Sequence, residues 1–169
     1  MRKLLPVMLA MMVAVALPCE ISAGRVQLTK DTELKVKFDS SKRISSGSLQ
    51  KGEEVAIYLA EDFKIGGVTI LEEGAEGTAK AKEVVKASRP GKPGKLTISF
   101  VDLSSKGDYS IAGGKKIKLT GELTKEGGNR KIISWLFILG LFIKGGQGEF
   151  DANVDYPVRV SETVVLESK

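Results

Sequence analysis

The sequence predicts an all-β fold, an antiparallel barrel or sandwich, with one short apolar insertion, helical or extended, at about residues 130–146. Three observations predict it. Apolar and polar residues alternate in five runs, turns rich in glycine and aspartate separate the runs, and no long segment beyond the N-terminus has helical periodicity. The five runs are 33–39, 54–59, 95–103, 115–123 and 150–160. Such alternation is typical of strands with one face in a core.

The N-terminus has the three parts of a secretory signal peptide. Arg2 and Lys3 form a basic head, residues 4–17 are mostly apolar, and small residues end at Ala23. We therefore predict a signal peptide at 1–23, cleaved after Ala23, and export across the inner membrane. The protein is expected in the periplasm or on the periplasmic side of the outer membrane.

A lipoprotein signal is the alternative, with Cys19 as the lipidated residue, although Pro18 fits poorly before it. The remainder, 24–169, is long enough to bury a core, and we predict a single β-domain. Cys19 is the one cysteine of the chain, so the exported domain has neither a disulfide nor a reactive thiol.

Composition argues against the common catalytic sites. The chain has no histidine, which excludes Ser-His-Asp and Cys-His nucleophiles as well as zinc sites of the Cys/His kind. Adjacent acidic pairs occur at 53–54, 61–62 and 72–73, but neighbours on a strand point to opposite faces. We predict no enzyme activity, no cofactor and no metal site. The formal net charge of +5 is mild and well mixed, so no nucleic-acid partner is expected.

One turn pattern occurs four times. An apolar residue ends a strand, the chain turns at a fourth residue, and an alternating strand begins directly after. The fourth residues are Asp31, Gly74, Gly114 and Asn153. These residue types tolerate a left-handed backbone, which predicts sharp corners between the strands of a barrel or sandwich.

Two further segments have unusual compositions. Small residues at 77, 79 and 81 predict a crowded strand, at a barrel closure or against another backbone. Residues 86–95 form a basic Pro/Gly loop. We interpret it as a solvated hairpin tip, with contact to phosphate or lipid head groups as the alternative.

The strand-and-turn patterns between about 26 and 121 resemble a known domain. Gly-x-x-Val-x-x-x-Leu-x-x-Asp occupies 52–62, Val-x-Ile-x-x-x-Gly occupies 68–74, and a basic glycine-rich loop leads into a strand at 89–100. The region is similar to the C-terminal β-domain of TrbI-like channel subunits of conjugation and type IV secretion systems, and of related secreted envelope proteins. In that family, apolar segments inserted in the β-domain reach the outer membrane as a ring of subunits. The resemblance implies a β-fold and an envelope role.

The most informative segment is the apolar run 132–143. As a helix it would be about 18 Å long, too short for a hydrocarbon core of about 30 Å. Only Ser134 and Gly140 interrupt it, so an apolar cover is required. The predicted membrane- or partner-contacting residues are Ile132, Ile133, Trp135, Leu136, Phe137, Ile138, Leu139, Leu141, Phe142 and Ile143. Arg130, Lys131 and Lys144 are the predicted head-group contacts.

Three interpretations of the run remain open: a membrane-dipping element, a core element that plugs a barrel end, or a subunit interface. The glycines at 127–128 and 145–148 favour a mobile insertion. We expect a non-catalytic secreted cell-envelope protein whose insertion contacts the outer membrane or a partner subunit. The alternatives are a soluble periplasmic binding module and a subunit of a secretion channel, which would be an oligomer, for instance of copies of this chain.

Overall fold

The computed structural model describes residues 24–89, 91–128 and 145–169, which form fourteen β-strands. Within these ranges the only helical element is a short 3-10 turn at Ala112–Gly114. The strands are β1 (Arg25–Leu28), β2 (Glu33–Phe38), β3 (Ile44–Ser45), β4 (Glu54–Leu59), β5 (Phe63–Ile65), β6 (Val68–Leu71), β7 (Glu76–Val85), β8 (Lys95–Leu103), β9 (Tyr109–Ile111), β10 (Ile117–Thr120), β11 (Glu122–Glu126), β12 (Glu149–Phe150), β13 (Tyr156–Val160) and β14 (Val164–Ser168).

Six strands form a closed antiparallel barrel in the order β10-β13-β2-β4-β7-β8, with β8 pairing back to β10. Strand β8 pairs with β7 along one edge and is long enough to pair with two strands along the other. Its first half pairs with β11 and its last residues pair with β10. The all-β prediction is confirmed, and of the two architectures left open by the sequence the barrel is the one observed. Closure removes the free edges that an open sheet of these strands would have.

Three smaller sheets accompany the barrel: β1-β14-β9, the pair β12-β3 and the hairpin β5-β6. One hydrophobic core joins them to the barrel, because Leu28 of β1, Leu166 of β14 and Phe150 of β12 are buried in the same cluster as the inward-facing barrel residues. The described ranges therefore pack around a single core.

Burial follows the alternation that the sequence shows. In β2, Leu34, Val36 and Phe38 are buried, whereas Glu33 and Lys35 are exposed. Strand β4 has the same pattern. Each large side chain buried in this way contributes about 1.5–3 kcal/mol to folding. This contribution fixes the register, because a slip by one residue would move every apolar group to the outside.

The four predicted turns are all present, but only three have the predicted backbone. Asp31, Gly74 and Gly114 have φ angles of 65°, 75° and 66°, in the left-handed region. Asn153 does not have a positive φ. There, the carboxylate of Asp151 accepts the Asn153 N–H at 2.9 Å, so a side chain makes the turn and a left-handed residue is not needed.

Two runs predicted as single strands are interrupted, which corrects the sequence interpretation. The run 115–123 breaks at Gly121, whose φ of 142° turns the chain so that β10 pairs with β13 while β11 continues along β8. The run 150–160 is divided by the turn at Asp151 into β12 and β13.

Strand β7 is crowded, as its small residues predict. A Cβ atom at Gly77 would lie 2.5 Å from the carbonyl oxygen of Asp102, and Ala79 and Ala81 are completely buried. The crowding comes from close approach to another backbone, the second of the two predicted causes. That backbone is the end of β8, where Asp102 and Leu103 also pair with β10 to close the barrel.

Candidate functional site

The predicted contact residues of the apolar insertion lie outside the described residues. This holds for Ile132, Ile133, Trp135, Leu136, Phe137, Ile138, Leu139, Leu141, Phe142 and Ile143, and for the predicted head-group contacts Arg130, Lys131 and Lys144. The chain is described up to Gly128 and again from Gly145. The described part of the candidate site is therefore the point where the insertion leaves and rejoins the domain.

The two ends of the insertion lie side by side. Gly146 N–H donates a hydrogen bond of 3.0 Å to the carbonyl oxygen of Gly128. Gly94, before β8, accepts from Gly127 N–H and donates to the Gly146 carbonyl oxygen, both at 2.8 Å. We call Gly94, Gly127, Gly128, Gly145 and Gly146 the insertion base. Residues 129–144 thus leave and return at one point, at the same end of the barrel as the start of β8.

Close backbone contacts explain the glycines of this base. A Cβ atom at Gly127 would overlap the Gly146 carbonyl, and one at Gly145 would overlap the Lys92 carbonyl. At Gly94 it would meet Gln147 Oε1 at 2.7 Å. Tight packing therefore accounts for Gly127 and Gly145, whereas the predicted mobile insertion lies outside the described residues. Gly128 has open space around its Cα.

A pair of polar side chains fastens the returning chain to the barrel. The Ser46 hydroxyl donates to Gln147 Oε1 at 2.7 Å and accepts from the Gly148 N–H at 3.1 Å. Gln147 Oε1 also accepts the Ala87 N–H at 3.1 Å. Ser46 is fully buried, and every buried side-chain polar atom among the described residues has a hydrogen-bond partner. This network joins three loops that are distant in sequence.

The fold brings the basic Pro/Gly loop to the insertion. We call residues 86–95 the basic hairpin, because the backbones of Ser88 and Lys92 exchange two hydrogen bonds of 2.9 and 3.1 Å. Gly145 N–H points to the Ser88 carbonyl oxygen at 3.5 Å. Ala87 is buried, while the side chains of Lys86 and Lys92 are exposed. The basic hairpin therefore lies against the described ends of the insertion, although the sequence gives no sign that the two segments are neighbours.

Ion pairs flank this surface. Arg43 Nε and Nη2 donate to Glu149 Oε1 and Oε2 at 2.6 and 2.8 Å, a two-point contact just after the insertion base. The hydrogen bond from Arg43 lowers the pKa of Glu149 from its ordinary value. Lys95 pairs with Glu83 at 2.9 Å, and this contact raises the pKa of Lys95. Both pairs are largely exposed and contribute little to folding.

Four aromatic rings of the hydrophobic core, those of Phe38, Phe100, Phe150 and Tyr156, pack against one another. Phe38 lies 5.1 Å from Tyr156, 5.6 Å from Phe150 and 6.3 Å from Phe100, measured between ring centroids. Phe150 and Tyr156 meet edge to face at 5.7 Å. Tilted and edge-on contacts of this kind stabilise a core beyond the area they bury.

The acidic pairs singled out in the sequence lie on the surface. Glu54 pairs with Lys80 at 3.4 Å and Glu61 pairs with Lys35 at 3.0 Å. Asp62 accepts the Glu73 N–H, and this hydrogen bond lowers the pKa of Asp62. These contacts fit the interpretation of the pairs as turn and surface charges. In the ranges that the structure describes, no three potential metal-ligating side chains cluster together.

Sequence reasoning missed Ser46 and Gln147. No signal in the sequence could have identified them, because 101 positions separate the two residues and neither belongs to a motif. The glycines around the insertion were noticed, but only the folded backbone shows what they contact.

Among the described residues, no helix has the length and apolar character needed to cross a membrane. The chain matches no protein-family model, no curated protein and no solved structure at a significant level. The resemblance to TrbI-like channel subunits consequently remains a prediction from strand-and-turn patterns.

Proposed function

We propose that this protein is a secreted, non-catalytic cell-envelope protein whose apolar insertion, 132–143, contacts the outer membrane or a partner subunit. Export is proposed from the signal-peptide features of residues 1–23, and the lack of catalysis from a chain without histidine. One observation carries the proposal for the insertion. Its two ends are hydrogen-bonded to each other between Gly146 and Gly128, at the edge of a closed barrel.

Because the insertion base is closed by hydrogen bonds, the barrel does not depend on the insertion for its strand pairing. The strands on either side have their own partners, since β11 pairs with β8 and β12 pairs with β3. The base itself is held by backbone hydrogen bonds to Gly94. A run of large apolar side chains on such a base is free to bury itself against an external apolar partner.

The magnitude of this burial favours a functional contact. Each large apolar side chain contributes about 1.5–3 kcal/mol when it is buried, so the run would contribute on the order of 10 kcal/mol before ordering costs. The described core already holds the packed rings of Phe38, Phe150 and Tyr156. This packing supports an external contact in preference to a plug.

Replacing the apolar run tests the proposal. Because Gly128 O and Gly146 N lie 3.0 Å apart, residues 132–143 can be exchanged for a short Gly-Ser-Gly bridge that retains Arg130, Lys131 and Lys144. The expected result is a folded barrel with unchanged urea unfolding that no longer sediments with membranes or needs detergent. The full exported chain, fractionated in parallel, is expected in the membrane fraction.

A second variant controls for an effect of the Gly-Ser-Gly bridge itself on folding. Leu136→Ser together with Leu141→Ser retains the chain length and is expected to lower membrane association while leaving the barrel stable. The proposal fails if either variant remains in the membrane fraction to the same extent as the unaltered protein. It also fails if both variants unfold, because the run would then belong to the core.

A further inference from the structure

Four stretches of the chain contain at least three basic residues and no acidic residue. Residues 84–101 contain Lys86, Arg89, Lys92 and Lys95 and no acidic residue, and residues 127–148 contain Arg130, Lys131 and Lys144 and no acidic residue. The other two are residues 40–52 and 109–121, whereas on the barrel wall acidic and basic residues form ion pairs. The stretches 84–101 and 127–148 would have no combined effect if they lay apart in the fold.

The fold holds these two stretches together. Gly127 N–H donates to the Gly94 carbonyl oxygen, and Gly94 N–H donates to the Gly146 carbonyl oxygen. Gly145 is packed so closely on the Lys92 carbonyl that it has no room for a Cβ atom. The cations of the basic hairpin are therefore next to the point where the apolar segment leaves and rejoins the domain.

Two lysines of the hairpin have charges available for an external partner. Lys86 and Lys92 are exposed, and neither forms a salt bridge with a described residue. Lys95, the last cation of the hairpin, pairs with Glu83, and Glu126 also helps to raise its pKa. An apolar segment beside unneutralised cations has the composition of a surface that binds the interface of an anionic membrane.

We propose that Lys86 and Lys92 of the basic hairpin bind the phosphate groups of anionic phospholipids, and that they direct the insertion to a negatively charged membrane surface. The inference rests on the proposed function. It narrows the proposed partner of the insertion from an apolar surface in general to an anionic lipid surface. The basic hairpin is then a contact surface, in place of the solvated tip that the sequence favoured.

Vesicle binding tests this inference with the full exported chain, residues 24–169. Two kinds of vesicle are compared, phosphatidylcholine alone and three parts phosphatidylcholine to one part phosphatidylglycerol. Binding is expected to be stronger to the anionic vesicles and to weaken as salt is raised, because salt screens charges at an exposed surface. The double variant K86Q/K92Q is expected to lower the partition coefficient on anionic vesicles by about 30-fold, about fivefold for each lysine.

A matched double variant controls for net charge. Lys30 and Lys115 are exposed lysines before β2 and β10, at the opposite end of the barrel from the basic hairpin. K30Q/K115Q removes the same charge and is expected to change anionic-vesicle binding by no more than about twofold. Neither double variant is expected to change urea unfolding, since all four side chains lie on the surface.

The outcomes separate this inference from the proposed function. Equal binding of the unaltered protein to both vesicles would overturn the inference and leave the proposed function standing. Equal losses in K86Q/K92Q and K30Q/K115Q would also overturn it, because general charge would then explain the preference. Binding to neither vesicle would overturn it as well and would leave a partner protein as the occupant of this surface. The exchange of residues 132–143 tests the proposed function independently.

Discussion

The Ser46 hydroxyl lies 2.7 Å from Gln147 Oε1, and this hydrogen bond joins the segment after β3 to the chain returning from the apolar insertion. Ser46 also accepts from Gly148 N–H, and Gln147 also accepts from Ala87 N–H at the start of the basic hairpin. The pair therefore sets the position of both elements proposed to contact the envelope. Ser46 and Gln147 are therefore positioning residues at the rim of the barrel.

Removing the Ser46 hydroxyl should destabilise the protein. In S46A the buried Gly148 N–H loses its acceptor, so we expect the free energy of unfolding to fall by about 1–3 kcal/mol. Urea unfolding, followed by far-UV circular dichroism, measures the change in the free energy of unfolding. S88A, at an exposed serine of the hairpin, is the control and should shift stability by less than about 0.5 kcal/mol. A loss in S46A no larger than in S88A would contradict the positioning role.

Adjacent glycines of the insertion base should respond differently to the same substitution. G127A places a methyl group on the Gly146 carbonyl and should cost about 1–3 kcal/mol of stability. G128A adds the same group in open space and should be neutral or stabilise by up to about 1 kcal/mol, because alanine restricts the unfolded chain. Thermal unfolding of the two variants, compared with the unaltered protein, measures the difference. Equal melting temperatures for G127A and G128A would show that the base is not closed.

The Tyr156 hydroxyl should make stability depend on alkaline pH. It donates to the Asp151 carbonyl oxygen at 3.0 Å and accepts the Asp151 N–H at 3.1 Å, and burial raises the pKa of Tyr156 above its ordinary value of 10.0. Because the folded state disfavours ionisation, the contribution of Tyr156 is fully present below the pKa of the unfolded chain. It is lost as pH rises from there through the raised pKa of the folded state.

The variant Y156F separates the hydrogen bonds from the ionisation. It should lower stability by about 1–3 kcal/mol at neutral pH, since both Asp151 groups lose their partner. The stability of Y156F should also fall less steeply than that of the unaltered protein above pH 10. Urea unfolding across the alkaline range measures both effects, and Y109F is the control. If Y156F and the unaltered protein lose the same stability at alkaline pH, other titrating groups must cause the loss.

The fold class could be predicted because it depends on local alternation. In β2 and β4 every second residue is apolar, and those residues are the ones that the core buries. The turns at Asp31, Gly74 and Gly114 could be predicted because a left-handed backbone selects among residue types. The turn near Asn153 is also present, but its predicted left-handed backbone is not, because the Asp151 carboxylate accepts the Asn153 N–H and makes the turn instead.

The candidate site was only partly predictable. Composition identified the apolar run 132–143 and the basic hairpin as separate features. Their juxtaposition depends on hydrogen bonds from Gly94 to Gly127 and Gly146, which join backbones far apart in the chain. Backbone groups are the same in every residue except proline, so the sequence contains no pattern that identifies such partners.

The sequence by itself determined the alternating strands, three of the corners and the presence of an almost entirely apolar segment, because each of these depends on neighbouring residues. Only the tertiary structure decided that β8 pairs with β10 to close a barrel, as well as with β11, and that Ser46 meets Gln147 at its rim. The physical reason is that pairing between distant strands is chosen by the packing of the whole core, in which many weak contacts act together.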